Sequence, residues 1–130
     1  MAKFLIVDDS PTVVEMLKIH LQMSGHEAVG HTSSLGTLLV ILRECPDVII
    51  LDIEMPMLEG PDLCRLIRKE SSMGSLSTVP ILFYSSRDEE DLQTFVATSG
   101  ADGYIHKQWR MEKVMPILQA AVDKVSWTNP

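Results

Sequence analysis

Five short apolar runs alternate with five segments of helical periodicity, and this alternation constrains the fold more than any other feature of the chain. Three of the runs are continuously apolar, which is typical of strands that are covered on both faces. The predicted strands are residues 4–7, 27–31, 48–51, 81–84 and 104–105. Strict β-α alternation predicts a doubly wound α/β fold, in which helices cover both faces of a parallel sheet with right-handed crossovers.

Apolar residues at helical spacing predict the buried face of each helix. The predicted faces are Val14, Leu17 and Leu21; Leu35, Leu38, Leu39 and Leu42; Leu63, Leu66 and Ile67; Leu92, Phe95 and Val96; and Val114, Leu118 and Val122. Pro11 and Pro61 suit the first turn of a helix, where a missing N–H costs nothing. Gly25 and Gly100 are predicted to end helices with positive φ. The Ser/Gly-rich residues 71–78 are predicted to form a mobile loop.

The size and charge of the chain narrow its class. Its 130 residues fit one domain over residues 1–130, with a core of about 3–125. A net charge of −7 argues against direct binding to nucleic acid or to an anionic membrane, since both need a basic face.

Cys45 and Cys64 form no CxxC pair and are predicted to be buried, reduced thiols. Because the first apolar run is too short for a signal peptide or a membrane span, we expect a soluble cytoplasmic protein.

Three aspartates follow two of the predicted strands. Asp8 and Asp9 end the first strand and Asp52 ends the third, so the flavodoxin-like strand order 2-1-3-4-5 would bring the three carboxylates together. Two such charges about 4 Å apart repel by roughly 4 kcal/mol at an effective dielectric of 20. A compensating ion or a raised pKa is therefore expected, and hard oxygen ligands suit Mg²⁺. In the alternative interpretation, the aspartate pair caps the first helix and Asp52 is a solvated strand end.

Two more strand ends carry polar side chains of the kind that phosphoryl transfer uses. Ser85 follows the fourth strand and Lys107 follows the fifth. Taken singly, they would be a turn residue and a solvated charge. Because they lie beside three acids at neighbouring strand ends, Ser85 and Lys107 instead favour a role in phosphoryl transfer. That reaction needs an in-line nucleophile, a metal and positioned positive charge.

These residues match the motifs of a known family. The motifs are Val7-Asp8-Asp9-Ser10; Asp47-Val48-Ile49-Ile50-Leu51-Asp52-Ile53-Glu54-Met55-Pro56 with Gly60; Val79-Pro80-Ile81 leading to Ser85; and Gly100-Ala101-Asp102-Gly103-Tyr104-Ile105-His106-Lys107. From Lys3 to about Val125 the chain resembles the receiver domains of two-component response regulators. The resemblance implies a five-stranded parallel sheet flanked by five helices, and a signalling switch that phosphorylation activates.

The resemblance also implies the chemistry of the acidic cluster. Asp52 would accept a phosphoryl group from the phosphohistidine of a sensor histidine kinase or phosphotransfer protein, or from a small phosphodonor. Mg²⁺ would be bound by Asp52, directly by Asp9, largely through water by Asp8, and by the backbone carbonyl of Glu54. Beyond catalysing its own phosphorylation and dephosphorylation, the chain is not expected to be an enzyme.

A switch follows from the same resemblance. Ser85 and Lys107 would contact the phosphoryl group, and the rotamer of Tyr104 would follow it. The face made by the fourth helix, fifth strand and fifth helix would then shift its conformational population and control an unidentified downstream protein. The chain departs from the family at Gln108, where a proline after a cis bond is usual, and at Ser86, where a small apolar residue is usual.

Two side-chain contacts are expected beyond these motifs. Glu54 lies two residues after Asp52, and Arg87 lies two residues after Ser85, so the sequence predicts an ion pair across the mouth of the site. Trp127 is expected to pack on the last helix.

Three other functions compete with a phosphorylated receiver. A haloacid-dehalogenase-type phosphatase also forms an aspartyl-phosphate, but its nucleophile lies on the first strand and a second Asp follows two residues on, where this chain has Glu54. A receiver-like interaction module would work without phosphorylation, although the acids, hydroxyl and lysine are all present. A flavodoxin-like flavin carrier would need a Ser/Thr-rich phosphate loop after the first strand, which this chain lacks.

Overall fold

The structure is a computed structural model that describes residues 1–128, with backbone alone for residues 71 and 125–128, so the predicted packing of Trp127 lies outside the described side chains. Five strands alternate with five α-helices in the order β1 (Lys3–Val7), α1 (Pro11–Met23), β2 (Glu27–His31), α2 (Thr37–Glu44), β3 (Val48–Leu51), α3 (Gly60–Lys69), β4 (Ile81–Ser85), α4 (Glu89–Ser99), β5 (Gly103–His106) and α5 (Met111–Thr128). Within residues 1–128, no helix is both long and apolar enough to cross a membrane.

The strands form one parallel sheet in the order β2-β1-β3-β4-β5, which confirms the predicted α/β fold. Val7 pairs with Leu51, and Leu51 pairs with Phe83. This register brings the carboxyl ends of the three central strands to the same edge. The residues that follow these strands therefore share that edge.

The sheet separates two apolar layers. Leu5 and Val7 of β1 pack with buried residues of α2, α3 and α4 on one face, whereas Phe4 and Ile6 pack with those of α1 and α5 on the other. This division follows from the two-residue period of a strand. The faces predicted for α1 and α5 are buried as expected, at Val14, Leu17 and Leu21 and at Val114, Leu118 and Val122.

Most of the buried face predicted for the second helix is wrong, although Leu38 is partly buried against the core. Leu35 precedes α2, which begins at Thr37, and Leu39 is 71% exposed. Val40 and Ile41 are buried instead. The run of residues 38–42 is wholly apolar, so its spacing fits more than one helix face, and packing against the sheet selects between them.

Three smaller expectations also fail. Leu66 is exposed on α3, whereas Leu63 and Ile67 are buried as predicted. Cys45 is exposed at the end of α2, where its backbone is in the left-handed conformation with φ of 47°. Residues 71–78, predicted to be a mobile loop, form 3₁₀ turns with a kink at Gly74.

Candidate functional site

The carboxyl edge of the sheet brings three carboxylates together. The Asp52 backbone N–H donates to the Val7 carbonyl oxygen at 2.8 Å, which ties the end of β3 to the end of β1. Asp8, Asp9 and Asp52 each contribute one carboxylate oxygen to a group whose members all lie within 4.8 Å of one another. Asp8 and Asp52 are buried, and Asp9 is exposed. The edge is therefore a small acidic pocket with one open side.

Asp8 does not cap the first helix. Ser10 is the N-cap of α1, and its Oγ accepts from the Val13 N–H at 3.4 Å. Asp8 Oδ1 accepts from the Ser10 N–H at 2.9 Å. No described group donates a well-aligned hydrogen bond to the buried Asp8 Oδ2, although Lys107 Nζ lies 3.1 Å away. Three clustered carboxylates that share one ammonium group fit a site for a further cation.

Lys107 is the cation that the chain itself supplies to this pocket. Its Nζ lies 3.1 Å from Asp8 Oδ2 and 3.4 Å from Asp52 Oδ1. Burial disfavours the charged ammonium, but the carboxylates of Asp52 and Asp8 more than offset that penalty and raise the pKa of Lys107. The ammonium is therefore charged at neutral pH and neutralises part of the acidic cluster.

The Asp52 carboxyl has an unusual protonation equilibrium. Burial and then the neighbouring Asp8 carboxylate raise the pKa of Asp52 from its ordinary 3.8 to about 7, although Lys107 opposes both. Asp52 Oδ1 accepts from the Ile53 N–H at 2.9 Å and from Lys107 Nζ at 3.4 Å. Within the described residues, no hydrogen bond engages Asp52 Oδ2. One oxygen of the carboxyl group is thus held, and the other is available to react.

Ser85 lies at the end of β4, next to the strand that leads to Lys107. The Lys107 N–H donates to the Ser85 carbonyl oxygen at 2.8 Å, so the two residues are fixed relative to each other through the backbone. Ser85 is buried, and its Oγ accepts from the Arg87 N–H at 3.1 Å. Because the hydroxyl accepts in that bond, its hydrogen can still be donated to a ligand.

Two contacts hold the loop that follows Asp52. The Gly60 N–H donates to the Ile53 carbonyl oxygen at 2.8 Å, and a Cβ at Gly60 would overlap the Asp52 carbonyl oxygen. The buried Ser34 Oγ donates to the Pro56 carbonyl oxygen at 2.8 Å. Sequence reasoning found Gly60 through its motif but missed Ser34, because no local pattern indicates which distant loop a serine will reach.

The ion pair predicted across the mouth of the site is confirmed. Arg87 Nε donates to Glu54 Oε1 at 2.8 Å. Arg87 also lies 3.8 Å from Asp91 Oδ2, and its guanidinium carbon is 5.5 Å from the centroid of the Phe95 ring. The arginine is therefore held on the α4 side of the mouth and reaches across to the loop after β3.

Tyr104 on β5 is engaged with α4. Its hydroxyl donates to Glu89 Oε1 at 2.9 Å and accepts from Gln93 Nε2 at 3.4 Å. The Trp109 ring lies beside it, with centroids 5.8 Å apart and an interplanar angle of 41°. Sequence reasoning singled out Tyr104 but missed Glu89 and Trp109, since neither stands in a recognised motif.

Fold and site together define an α/β protein with an acidic, lysine-bearing pocket at the carboxyl edge of a parallel sheet. The sequence profile of the response regulator receiver domain matches residues 4–119. The chain is 34% identical over 122 residues to the transcriptional regulatory protein YxdJ of Bacillus subtilis, covering 94% of this chain and 51% of that protein. It is 30% identical over 122 residues to protein PilH of Pseudomonas aeruginosa, covering 94% of this chain and 98% of PilH.

Solved structures agree with the sequence relatives. The chemotaxis protein CheY4 of Vibrio cholerae superimposes with a TM-score of 0.82 at 29% identity, covering 93% of this chain and 98% of that chain. The chain belongs to the response regulator receiver domain family. It is thus a receiver domain of two-component signalling, a phosphorylation-activated switch rather than an enzyme of the usual kind, and the competing functions are not favoured.

The chain differs from several relatives in length and from the usual family sequence at Gln108. The chain spans about half the length of several curated relatives that it matches, YxdJ among them. Gln108 follows Lys107 at the position where the family usually has a proline, and no peptide bond within the described residues is cis.

Proposed function

We propose that residues 1–130 form a single receiver domain in which Asp52 accepts a phosphoryl group. The donor would be the phosphohistidine of a sensor histidine kinase or phosphotransfer protein, or a small phosphodonor. The observation that carries the proposal is the position of Asp52: it is buried at a strand end between Asp8 and Lys107, with one carboxyl oxygen held and the other available. Asp8 also has one held oxygen, but its other oxygen is fully buried, so the geometry favours Asp52 as the acceptor.

The acidic cluster fits Mg²⁺. Asp9 would bind it directly, Asp8 largely through water, and Asp52 through its carboxylate, which would neutralise the negative charge that Lys107 leaves uncompensated. The Glu54 backbone carbonyl would complete the protein ligands, since no described group donates a hydrogen bond to it. Bound Mg²⁺ supplies positive charge that neutralises the acids and the transferring phosphoryl oxygens.

The residues of the chain have distinct parts in the transfer. Asp52 Oδ2 attacks the phosphorus atom, so an O–P bond forms while the bond from phosphorus to the donor nitrogen or oxygen breaks and the donor keeps the electron pair. The Lys107 ammonium and the Ser85 hydroxyl donate to phosphoryl oxygens. Hydrolysis of the acyl phosphate by water returns the Asp52 carboxylate and inorganic phosphate.

The output of the switch lies on the surface formed by α4, β5 and α5. Tyr104 is on this surface, and its strand leads directly to Lys107. A change in the rotamer of Tyr104 on phosphorylation would shift the population of this surface between two states and so change its affinity for a downstream protein.

Intact-mass spectrometry tests the proposal. With Mg²⁺ and either acetyl phosphate or phosphoramidate, the protein should gain one phosphoryl group, and Asp52→Asn should abolish the gain. Asp62→Asn, which removes an exposed carboxylate at the start of α3, should label like the wild type. Chelation of the metal should stop labelling. Equal labelling of the wild type and Asp52→Asn would overturn the assignment.

A turnover assay separates the switch from a phosphatase. The receiver proposal expects essentially no hydrolysis of a generic phosphate ester such as p-nitrophenyl phosphate. Sustained turnover that Asp52→Asn removes would instead favour the haloacid-dehalogenase-type reaction.

A further inference from the structure

Tyr104 is held at its hydroxyl by two side chains of α4. The bond to Glu89 Oε1 is short, at 2.9 Å, and joins a neutral donor to a carboxylate, which is a stronger combination than two neutral groups. The bond from Gln93 Nε2 is longer, at 3.4 Å. Glu89 and Gln93 lie one helical turn apart on the same face of α4, so the two contacts act together.

The aromatic ring of Tyr104 is also restrained. The Trp109 ring packs beside it, with a centroid separation of 5.8 Å. Trp109 is in turn fixed by Lys113, whose Nζ lies 3.8 Å from the centroid of the indole. The backbone N–H of Trp109 donates to the His106 carbonyl oxygen at 3.0 Å, and this bond anchors the backbone that carries the indole. Tyr104 therefore has partners at both its hydroxyl and its ring.

We propose that Glu89 and Trp109 form a latch that holds Tyr104 away from the phosphorylation site and lowers the affinity of that site for a phosphoryl group. The inference rests on the proposed function, because it assumes that Tyr104 moves when Asp52 is phosphorylated. If the latch contacts exist only in the unphosphorylated state, they stabilise that state alone. By linkage, a contact that opposes the movement must weaken phosphoryl binding by the same factor.

Simple electrostatics is the competing explanation. Removing a carboxylate from the acidic start of α4 would favour an anion nearby, whether or not Tyr104 is involved. Glu90 gives a matched control: it is the next residue of the same helix, it is exposed, and no described contact joins its carboxylate to Tyr104. A double-mutant cycle with Tyr104→Phe isolates the hydrogen bond itself.

The experiment measures the dissociation constant of beryllofluoride, a phosphoryl analogue, in the presence of Mg²⁺. Trp109 fluorescence reports binding in a Trp127→Phe background, which leaves Trp109 as the sole tryptophan. Glu89→Ala should tighten binding by about 3- to 10-fold, as loss of one charge-assisted hydrogen bond at a partly exposed position predicts. Tyr104→Phe keeps the aromatic ring but removes the hydroxyl, and it should also tighten binding of beryllofluoride. In the Tyr104→Phe background, Glu89→Ala should change affinity no more than Glu90→Ala does.

Each outcome decides between the explanations. If Glu89→Ala and Glu90→Ala have equal effects, or if Glu89→Ala has the same effect with and without the Tyr104 hydroxyl, charge alone acts and the latch is wrong. If Tyr104→Phe weakens or loses beryllofluoride binding, the latch is also wrong. If the wild type neither binds beryllofluoride nor labels at Asp52, the proposed function fails first.

Discussion

Arg87 Nε donates to Glu54 Oε1 at 2.8 Å, and this single contact joins the loop after β4 to the loop after β3 across the mouth of the acidic pocket. The side chain of Arg87 is 35% exposed and that of Glu54 is 64% exposed. Both side chains are therefore partly open to solvent. We expect the pair to obstruct a water molecule that approaches a phosphorylated Asp52 from this side.

We predict that Arg87→Ala shortens the half-life of the phosphorylated protein by about two- to fivefold, the range that an exposed ion pair of up to 1 kcal/mol can supply. Glu54→Ala should act in the same direction and should add little in the double mutant. Dephosphorylation is followed by intact mass after the phosphodonor is removed. Arg43→Ala, which breaks an exposed pair on α2, serves as the control. An unchanged or longer half-life in Arg87→Ala would show that the pair is not a barrier to water.

The pKa of Asp52 predicts a pH-dependent stability of the metal-free protein. With a folded pKa of about 7 and an ordinary value of 3.8, the folded protein keeps this proton where the unfolded chain has lost it. Stability should therefore fall as the pH rises from about 4 to about 7, and should level off above that range. Asp52→Asn cannot lose a proton, so its stability should fall less over the same range. Chemical denaturation at several pH values in chelator measures both slopes, and parallel slopes would contradict the raised pKa.

The close approach of Gly60 to Asp52 gives a third prediction. Because a Cβ at Gly60 would overlap the Asp52 carbonyl oxygen, Gly60→Ala must displace the backbone of the acceptor. We expect a loss of about 1–3 kcal/mol in the free energy of unfolding, together with slower labelling of Asp52. Gly103→Ala is the matched control, because its Cβ would meet a flexible side-chain atom, Leu82 Cδ2, at 3.2 Å. Gly60→Ala with the stability and labelling rate of Gly103→Ala would refute the steric argument.

The parts of the fold that sequence predicted well are those set by local patterns. The continuous apolar run of β3 and the alternation of elements predicted the parallel sheet. The strand order was taken from the flavodoxin-like fold, and with it the edge where Asp8 and Asp52 meet could be predicted. The Arg87–Glu54 ion pair could also be predicted, because both residues follow strands whose ends the sheet aligns. In each case two residues could be placed by counting along a strand.

The parts that failed depend on tertiary packing. The apolar run of α2 fits several faces, and only its docking against the sheet buries Val40 and Ile41 in place of Leu39. The bond between Tyr104 and Glu89 joins residues 15 apart on different elements, so no spacing rule could reveal it. Both outcomes depend on how neighbouring elements pack, which the local sequence does not encode.

The charge of the acidic cluster should affect the stability of the protein in a way that can be measured without a kinase. Asp8, Asp9 and Asp52 are close together in the folded protein but separate in the unfolded chain, so their repulsion destabilises the native state alone. Lys107 offsets part of it, from 3.1 Å at Asp8 and 3.4 Å at Asp52. Asp52→Asn removes one charge with little change of shape. At pH 8 without metal, it should therefore be more stable than the wild type by about 1 kcal/mol or more.

Magnesium should reduce the difference in stability between Asp52→Asn and the wild type. The ion binds the native arrangement of the aspartates, so it should raise the melting temperature of the wild type by mass action. It should raise that of Asp52→Asn less, because the variant lacks one carboxylate ligand. Thermal melts of both proteins at pH 8, in Mg²⁺ and in chelator, give the four values required, and Asp62→Asn controls for the loss of one exposed charge. If Asp52→Asn melts below the wild type in chelator and Mg²⁺ shifts neither protein, then the three aspartates do not act as one site, and the assignment of Asp52 as the phosphoacceptor loses its physical basis.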